Sequence, residues 1–127
     1  MTVWIKVVYY KKNSEIDIYF FTFTLIMNLG KGGCVYILTN NHNTVLYVGV
    51  TSDLYSRIIQ HKEKYFKNSF TDKYNCTKLV FYRFYESIEE VIIEEKKLKA
   101  GNRQKKINLI LSLNENWEDL WDDIKNW

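Results

Sequence analysis

A carboxylate, two phenols and an arginine–histidine pair are the side chains here with chemistry to offer. Ile88, Val91, Ile92 and Leu98 mark the apolar stripe of a helix, and about 100° per residue sets Glu95 at the stripe's centre. A charge facing a core costs several kcal/mol unless it is paired, protonated or bound to a metal. Otherwise the stripe is narrower and Glu95 is partly exposed, or Glu95 forms a buried salt bridge to Arg57. Arg57 and His61 stand four apart and share a helix face. That spacing holds a phosphate between two donors, or is an ordinary solvated face. Tyr36 and Tyr47 fall in two alternating segments joined by Asn41-His42-Asn43-Thr44. A hairpin that sets Asn40 opposite Asn43 sets Tyr36 opposite Tyr47, with Cβ atoms ~5 Å apart. Two phenols then converge on one face, and Val35, Ile37, Leu46 and Val48 take the other. They are also a common kind of packing pair. Gly49, two residues on, admits a ligand or another backbone at close range.

The elements that must position these residues follow from local pattern. Gly33–Asn40 and Val45–Val50 read as strands and Lys78–Tyr85 as a third. Thr51-Ser52-Asp53 caps a helix over Leu54–Phe66, whose core face is Leu54, Ile58 and Tyr65. Asn68–Thr77 reads as a polar loop. Ser87 and Glu90 form a capping box, and the helix it opens runs to Ala100 with Gly101 placed to end it. Arg103–Leu113 reads as another helix, and Glu115–Trp127 as one short terminal helix. The order strand, strand, helix, strand, helix, helix predicts an α+β fold with a small three-stranded antiparallel sheet flanked by helices.

At 127 residues the chain has room for one domain with a real core. Cys34 and Cys76 form no CxxC pair, which favours buried free thiols in a reducing, cytoplasmic setting. The net charge of +3 conceals a gradient. Residues 54–106 hold thirteen Lys/Arg against seven Asp/Glu, whereas 107–127 hold one Lys against five acids. A basic centre suits an anionic partner such as nucleic acid, or is a plain solvated surface. The acidic end carries Trp117, Trp121 and Trp127, which pack an edge or dock a partner. Residues 1–26 differ from the rest. Their apolar run Ile16–Met27 is shorter than the ~20 residues a membrane span needs. Lys11 and Lys12 precede it as in a signal peptide, yet no small-residue cleavage site follows. We read 1–26 as an extension outside the domain at 27–127, with Met27 the expected start of the native product and no membrane association.

Cys34-Val35-Tyr36, then Tyr47-Val48-Gly49, then Arg57 with His61, then Glu95 resembles the GIY-YIG nuclease family, most closely its small single-domain bacterial branch. The resemblance covers about Gly33 to Trp121. It implies a metal-dependent endonuclease that hydrolyses DNA phosphodiester bonds, in repair or recombination. Tyr36 would be the general base, with Tyr47 orienting the attacking water. Arg57 would hold the scissile phosphate, and His61 would donate a hydrogen bond to phosphate or to Tyr36. Glu95 would bind one divalent metal, Mg²⁺ or Mn²⁺. A phenol is a poor base near neutral pH unless cations lower its pKa, a task that falls to Arg57 and the metal. DNA phosphates would meet Lys62, Lys64, Lys67, Lys96, Lys97, Lys99, Arg103, Lys105 and Lys106 beside Gly49. Such contacts give affinity without sequence choice, so a protein partner would supply targeting. A non-catalytic nucleic-acid-binding module of the same fold is the alternative. The chain departs from the family pattern at Cys34, where the motif has Gly. The position of the family's asparagine falls on Ile107, beside Asn108. Val50 and Thr51 stand where some members carry a lysine.

Overall fold

The structure, a computed structural model, describes residues 9–12, 15–18 and 32–127. β1 (Tyr9–Lys12) and β2 (Glu15–Ile18) pair antiparallel as a separate two-stranded ribbon that the sequence pattern did not announce. Most of the apolar run 16–27, and the proposed start at Met27, lie outside the described residues.

A three-stranded antiparallel sheet carries the rest. β3 (Gly33–Thr39) lies between β4 (Leu46–Thr51) and β5 (Lys78–Tyr85). All seven residues of β3 are buried, as a central strand with both faces covered requires. Val35, Ile37, Val48 and Val50 face α3 (Ile88–Ala100) and α4 (Arg103–Leu113) through Ile88, Val91 and Ile110. Cys34, Tyr36 and Leu38 face the opposite way, against Leu54 and Ile58 of α1 (Leu54–Lys62). The sheet is thus the middle of three layers, as the order of elements predicted.

The hairpin register differs by two residues from the expected one. Tyr36 faces Gly49, and Leu38 faces Tyr47. Asn40 causes the shift. Its Oδ1 accepts from the backbone N–H of Thr44 at 2.8 Å and of Val45 at 3.2 Å, while its carbonyl accepts from Asn43 N–H. The side chain takes up donors that another ladder pair would have used, and the loop is longer by that pair. A two-residue slip preserves which face each side chain takes, so the phenols still share one face, now as diagonal neighbours.

Helix starts follow the capping chemistry. Asp53 accepts from Ser56 N–H and Ser87 from Glu90 N–H, each such cap worth about 1 kcal/mol. Helix α1 ends at Lys62, short of Phe66. Lys64 takes a left-handed φ of 53°, its N–H bonds the His61 carbonyl, and Tyr65 N–H bonds that of Gln60. This is a Schellman ending without glycine, and it turns Tyr65 out to 67% exposure rather than into the core. The expected polar loop contains a short helix, α2 (Phe70–Lys73), capped by Ser69. A last turn, α5 (Trp121–Ile124), ends the fold. It is strapped to β5 by Leu120 N–H bonding the Leu79 carbonyl, and by Asp119, whose Oδ1 accepts from Leu79 and Trp121 N–H. Trp121 packs on Tyr55 and Trp117 on the α3/α4 side of the core, so these two tryptophans are packing residues. Trp127 is exposed and touches Tyr82 and Phe84.

Candidate active site

Gly49 is the pivot of the site. A Cβ built on it would lie 2.4 Å from Tyr36 Cζ and 2.5 Å from Tyr36 Oη. The phenol of Tyr36 therefore crosses β4 through the space that any other residue would fill. The glycine admits neither a ligand nor a remote backbone; it admits the catalytic candidate itself. Tyr36 is almost fully buried, and its ring centroid lies 6.3 Å from that of Tyr47.

Helix α1 brings Arg57 and His61 to the same place. Both are buried, so their shared face is not a solvated one. Tyr36 Oη and His61 Nε2 are 2.9 Å apart. The other ring nitrogen, Nδ1, lies 3.1 Å from Thr71 Oγ1 on α2. The Arg57 guanidinium sits 5.4 Å from the Phe66 ring, and its Nε is buried with no hydrogen-bond acceptor among the described residues. Tyr47 stacks on Phe70, and His61 meets Phe66 and Tyr47 edge-on or tilted. Phe70 and Thr71 come from the stretch read as polar loop, and Phe66 from the expected end of the first helix. Ser69-Phe70-Thr71-Asp72 fits the Ser-x-x-Asp helix-start pattern, the one sequence signal that would have placed them.

From α3, Glu95 enters the site fully buried, in line with Ile88 and Val91 as the stripe predicted. Lys99, one turn on, sets its Nζ 2.6 Å from Glu95 Oε1. The Glu95 charge reaches both phenols and raises them, while Arg57 lowers them.

Burial outweighs the cation. It pushes Tyr36 well above the ordinary phenol range and raises the half-buried Tyr47 as well. Arg57 alone does not offset that burial. Burial first, and then Arg57, pull His61 down to about 3, so its ring is neutral at physiological pH and one nitrogen can accept a hydrogen bond. The same burial pushes the free thiols of Cys34 and Cys76 up, to about 12 and about 11, which makes them inert packing groups.

The donor chemistry fits one kind of metal. Among the described residues no three His, Cys, Asp or Glu side chains gather into a cage. A lone carboxylate already set against a cation, Lys99 Nζ, accepts a hard divalent ion that brings its other oxygens from water and phosphate, as Mg²⁺ does.

The basic residues separate into two groups. Lys62 is tied to Asp119 at 2.6 Å and to the Thr77 carbonyl, Lys64 to Asn75, and Lys99 to Glu95. Lys96, Lys67 and Lys105 are exposed, Lys97 pairs with Glu94, Lys106 reaches the Gly101 carbonyl, and Arg103 reaches the Asn43 carbonyl. Asn108 is exposed on α4, where its side chain accepts from Gln104.

The sequence profile of the GIY-YIG catalytic domain matches residues 32–108. The solution NMR structure of a UPF0213 protein from Bacillus halodurans is similar, with 27% sequence identity and a TM-score of 0.46. The match covers 69% of this chain and 92% of that one. No curated protein matches the sequence. No helix among the described residues is long and apolar enough to cross a membrane.

Proposed function

We propose, from the premise that the chain belongs to the GIY-YIG family, that it is a metal-dependent endonuclease hydrolysing DNA phosphodiester bonds at the Tyr36–Tyr47–Arg57–His61–Glu95 cluster. The observation that carries this reading is the buried Arg57 Nε with no acceptor among the described residues, set beside the hydrogen-bonded Tyr36–His61 pair. A purely structural arginine would be expected to spend that donor, because an unmet buried donor costs about 1–3 kcal/mol. A phosphate oxygen would satisfy it.

In this reading Arg57 holds the scissile phosphate and answers the charge that builds on its oxygens. Tyr36 Oη takes the proton of the attacking water, and His61 Nε2, 2.9 Å away, holds the phenol oxygen in place. Burial raises the phenol, so its ionisation rests on Arg57 and on the positive charge of the loaded site. Tyr47 orients the water. Glu95, beside Lys99, would hold the divalent ion, Mg²⁺ or Mn²⁺. When bound, that ion supplies positive charge to the phosphate oxygens. Lys96, Lys99, Lys64, Lys62, Arg103 and their neighbours give backbone affinity, those now in ion pairs by exchanging partners. Gly49 serves by housing Tyr36. The work of the protein is DNA repair or recombination in the cytoplasm, with a partner that supplies targeting. The domain proper begins near residue 27.

Supercoiled plasmid and flapped DNA, incubated with the native chain and with Glu95→Gln, in Mg²⁺ and in EDTA, test this. The reading expects nicking in Mg²⁺ by the native chain alone. Binding at low salt with no cleavage by the native chain overturns it and leaves a non-catalytic nucleic-acid-binding module.

A further inference from the structure

We propose that Thr71 is a positioning residue: its hydroxyl accepts the His61 Nδ1 proton and so fixes the tautomer whose Nε2 lone pair faces Tyr36. The inference rests on the reading of Tyr36 as proton acceptor, but its first readout does not depend on that reading.

The argument starts from hydrogen-bond capacity. A neutral imidazole carries one proton, and the partner of one nitrogen decides the role of the other. His61 has both nitrogens engaged, by Tyr36 Oη at 2.9 Å and Thr71 Oγ1 at 3.1 Å, in a buried setting. Thr71 is itself buried and sits in the first turn of α2. Its own hydroxyl proton has an acceptor in Ser69 Oγ, 3.2 Å away. Ser69 Oγ also accepts from Asp72 N–H as the helix cap and keeps a second lone pair for the Thr71 hydroxyl. The proposed direction is Tyr36 O–H to His61 Nε2, His61 Nδ1–H to Thr71 Oγ1, Thr71 O–H to Ser69 Oγ. The reverse direction would put a proton on Nε2 and leave Tyr36 no acceptor on the ring. A four-residue helix with a cap of its own is a costly way to pack one threonine, and the Phe70 beside it already covers Tyr47. A valine would fill the same volume. Only the hydroxyl, bonded to His61 and Ser69, distinguishes the two.

Nitrogen-15 NMR of the histidine side chain in the full-length, metal-free protein reads the tautomer directly. The expected result is Nδ1–H in the native chain, a mixture or Nε2–H in Thr71→Val, and Nδ1–H restored in Thr71→Ser. Plasmid nicking in Mg²⁺ supplies the second readout. Thr71→Val should lose about tenfold or more in kcat with KM held, as expected when proton transfer is misaligned, and Thr71→Ser should recover most of it. An Nε2–H tautomer in the native chain overturns the proposal, whether or not Thr71→Val folds. So does a Thr71→Val variant with native tautomer and native kcat. A native chain that cleaves no DNA yet shows the Nδ1–H tautomer and its loss in Thr71→Val supports the positioning role and sinks only the nuclease reading.

Discussion

Replacing Gly49 by alanine should disable the site without removing any polar group. The added Cβ would stand 2.4 Å from Tyr36 Cζ and 2.5 Å from Tyr36 Oη. Carbon atoms in ordinary contact keep about 3.5–4.0 Å, so the tip of the ring must retreat by roughly 1 Å. Its surroundings give little room, since Tyr36 is almost fully buried between the rings of Tyr47 and His61. Forced overpacking of this kind costs about 1–3 kcal/mol. The retreat also stretches the 2.9 Å contact between Tyr36 Oη and His61 Nε2 beyond hydrogen-bond range. A misplacement of about 1 Å at a reacting group costs on the order of 10²-fold in rate. Gly49→Ala is therefore expected to unfold at lower urea, to bind DNA at low salt as the native chain does, and to cleave about 10²-fold more slowly in single-turnover assays. A variant of native stability that cleaves at the native rate would refute the reasoning, because the Tyr36 ring could not then occupy the space over Gly49.

Two further outcomes follow from the same geometry. His61 is held near 3 in the folded chain against 6.5 unfolded, so below 6.5 the unfolded state binds the proton that the folded state refuses. Stability is complete above that pH and falls as pH drops towards 3, by about 2 kcal/mol between pH 6.5 and 5 and on the order of 5 kcal/mol in all. Urea titrations at several pH values should show this slope in the native chain and a flat profile above pH 5 in His61→Gln. Asp119→Ala removes the acceptor of two backbone N–H groups and the partner of Lys62. It should cost about 2 kcal/mol in urea unfolding with little change in cleavage rate per folded molecule, since charge-assisted bonds of this kind contribute roughly 1.5–3 kcal/mol.

Much of this architecture is legible in the sequence, and the illegible parts have physical causes. Strand β5 and helices α3 and α4 fall where alternation and capping residues put them, because each boundary is written in the side chains at that boundary. The end of α1 is not, because the left-handed residue that closes it is Lys64 and no glycine marks the place. The hairpin register escaped because Asn40 replaces a ladder pair through its side chain, a choice that strand alternation cannot express. Glu95 could be singled out because helical period alone exposes a charge on an apolar stripe. Thr71, Phe66 and Phe70 could not be joined to it, since their approach to His61 and Tyr47 is made by tertiary folding of α2. The state of the phenols depends on burial depth, which outweighs the charge of Arg57 and is invisible in a list of residues.

Tyr36→Phe isolates the central claim. The variant keeps the ring over Gly49 and its packing, and removes only Oη, the atom that meets His61. Single-turnover cleavage of supercoiled plasmid in Mg²⁺ should fall by roughly 10²–10⁴-fold, the usual loss of a general base, while DNA affinity at low salt stays native. Cleavage by Tyr36→Phe at the native rate would contradict the account.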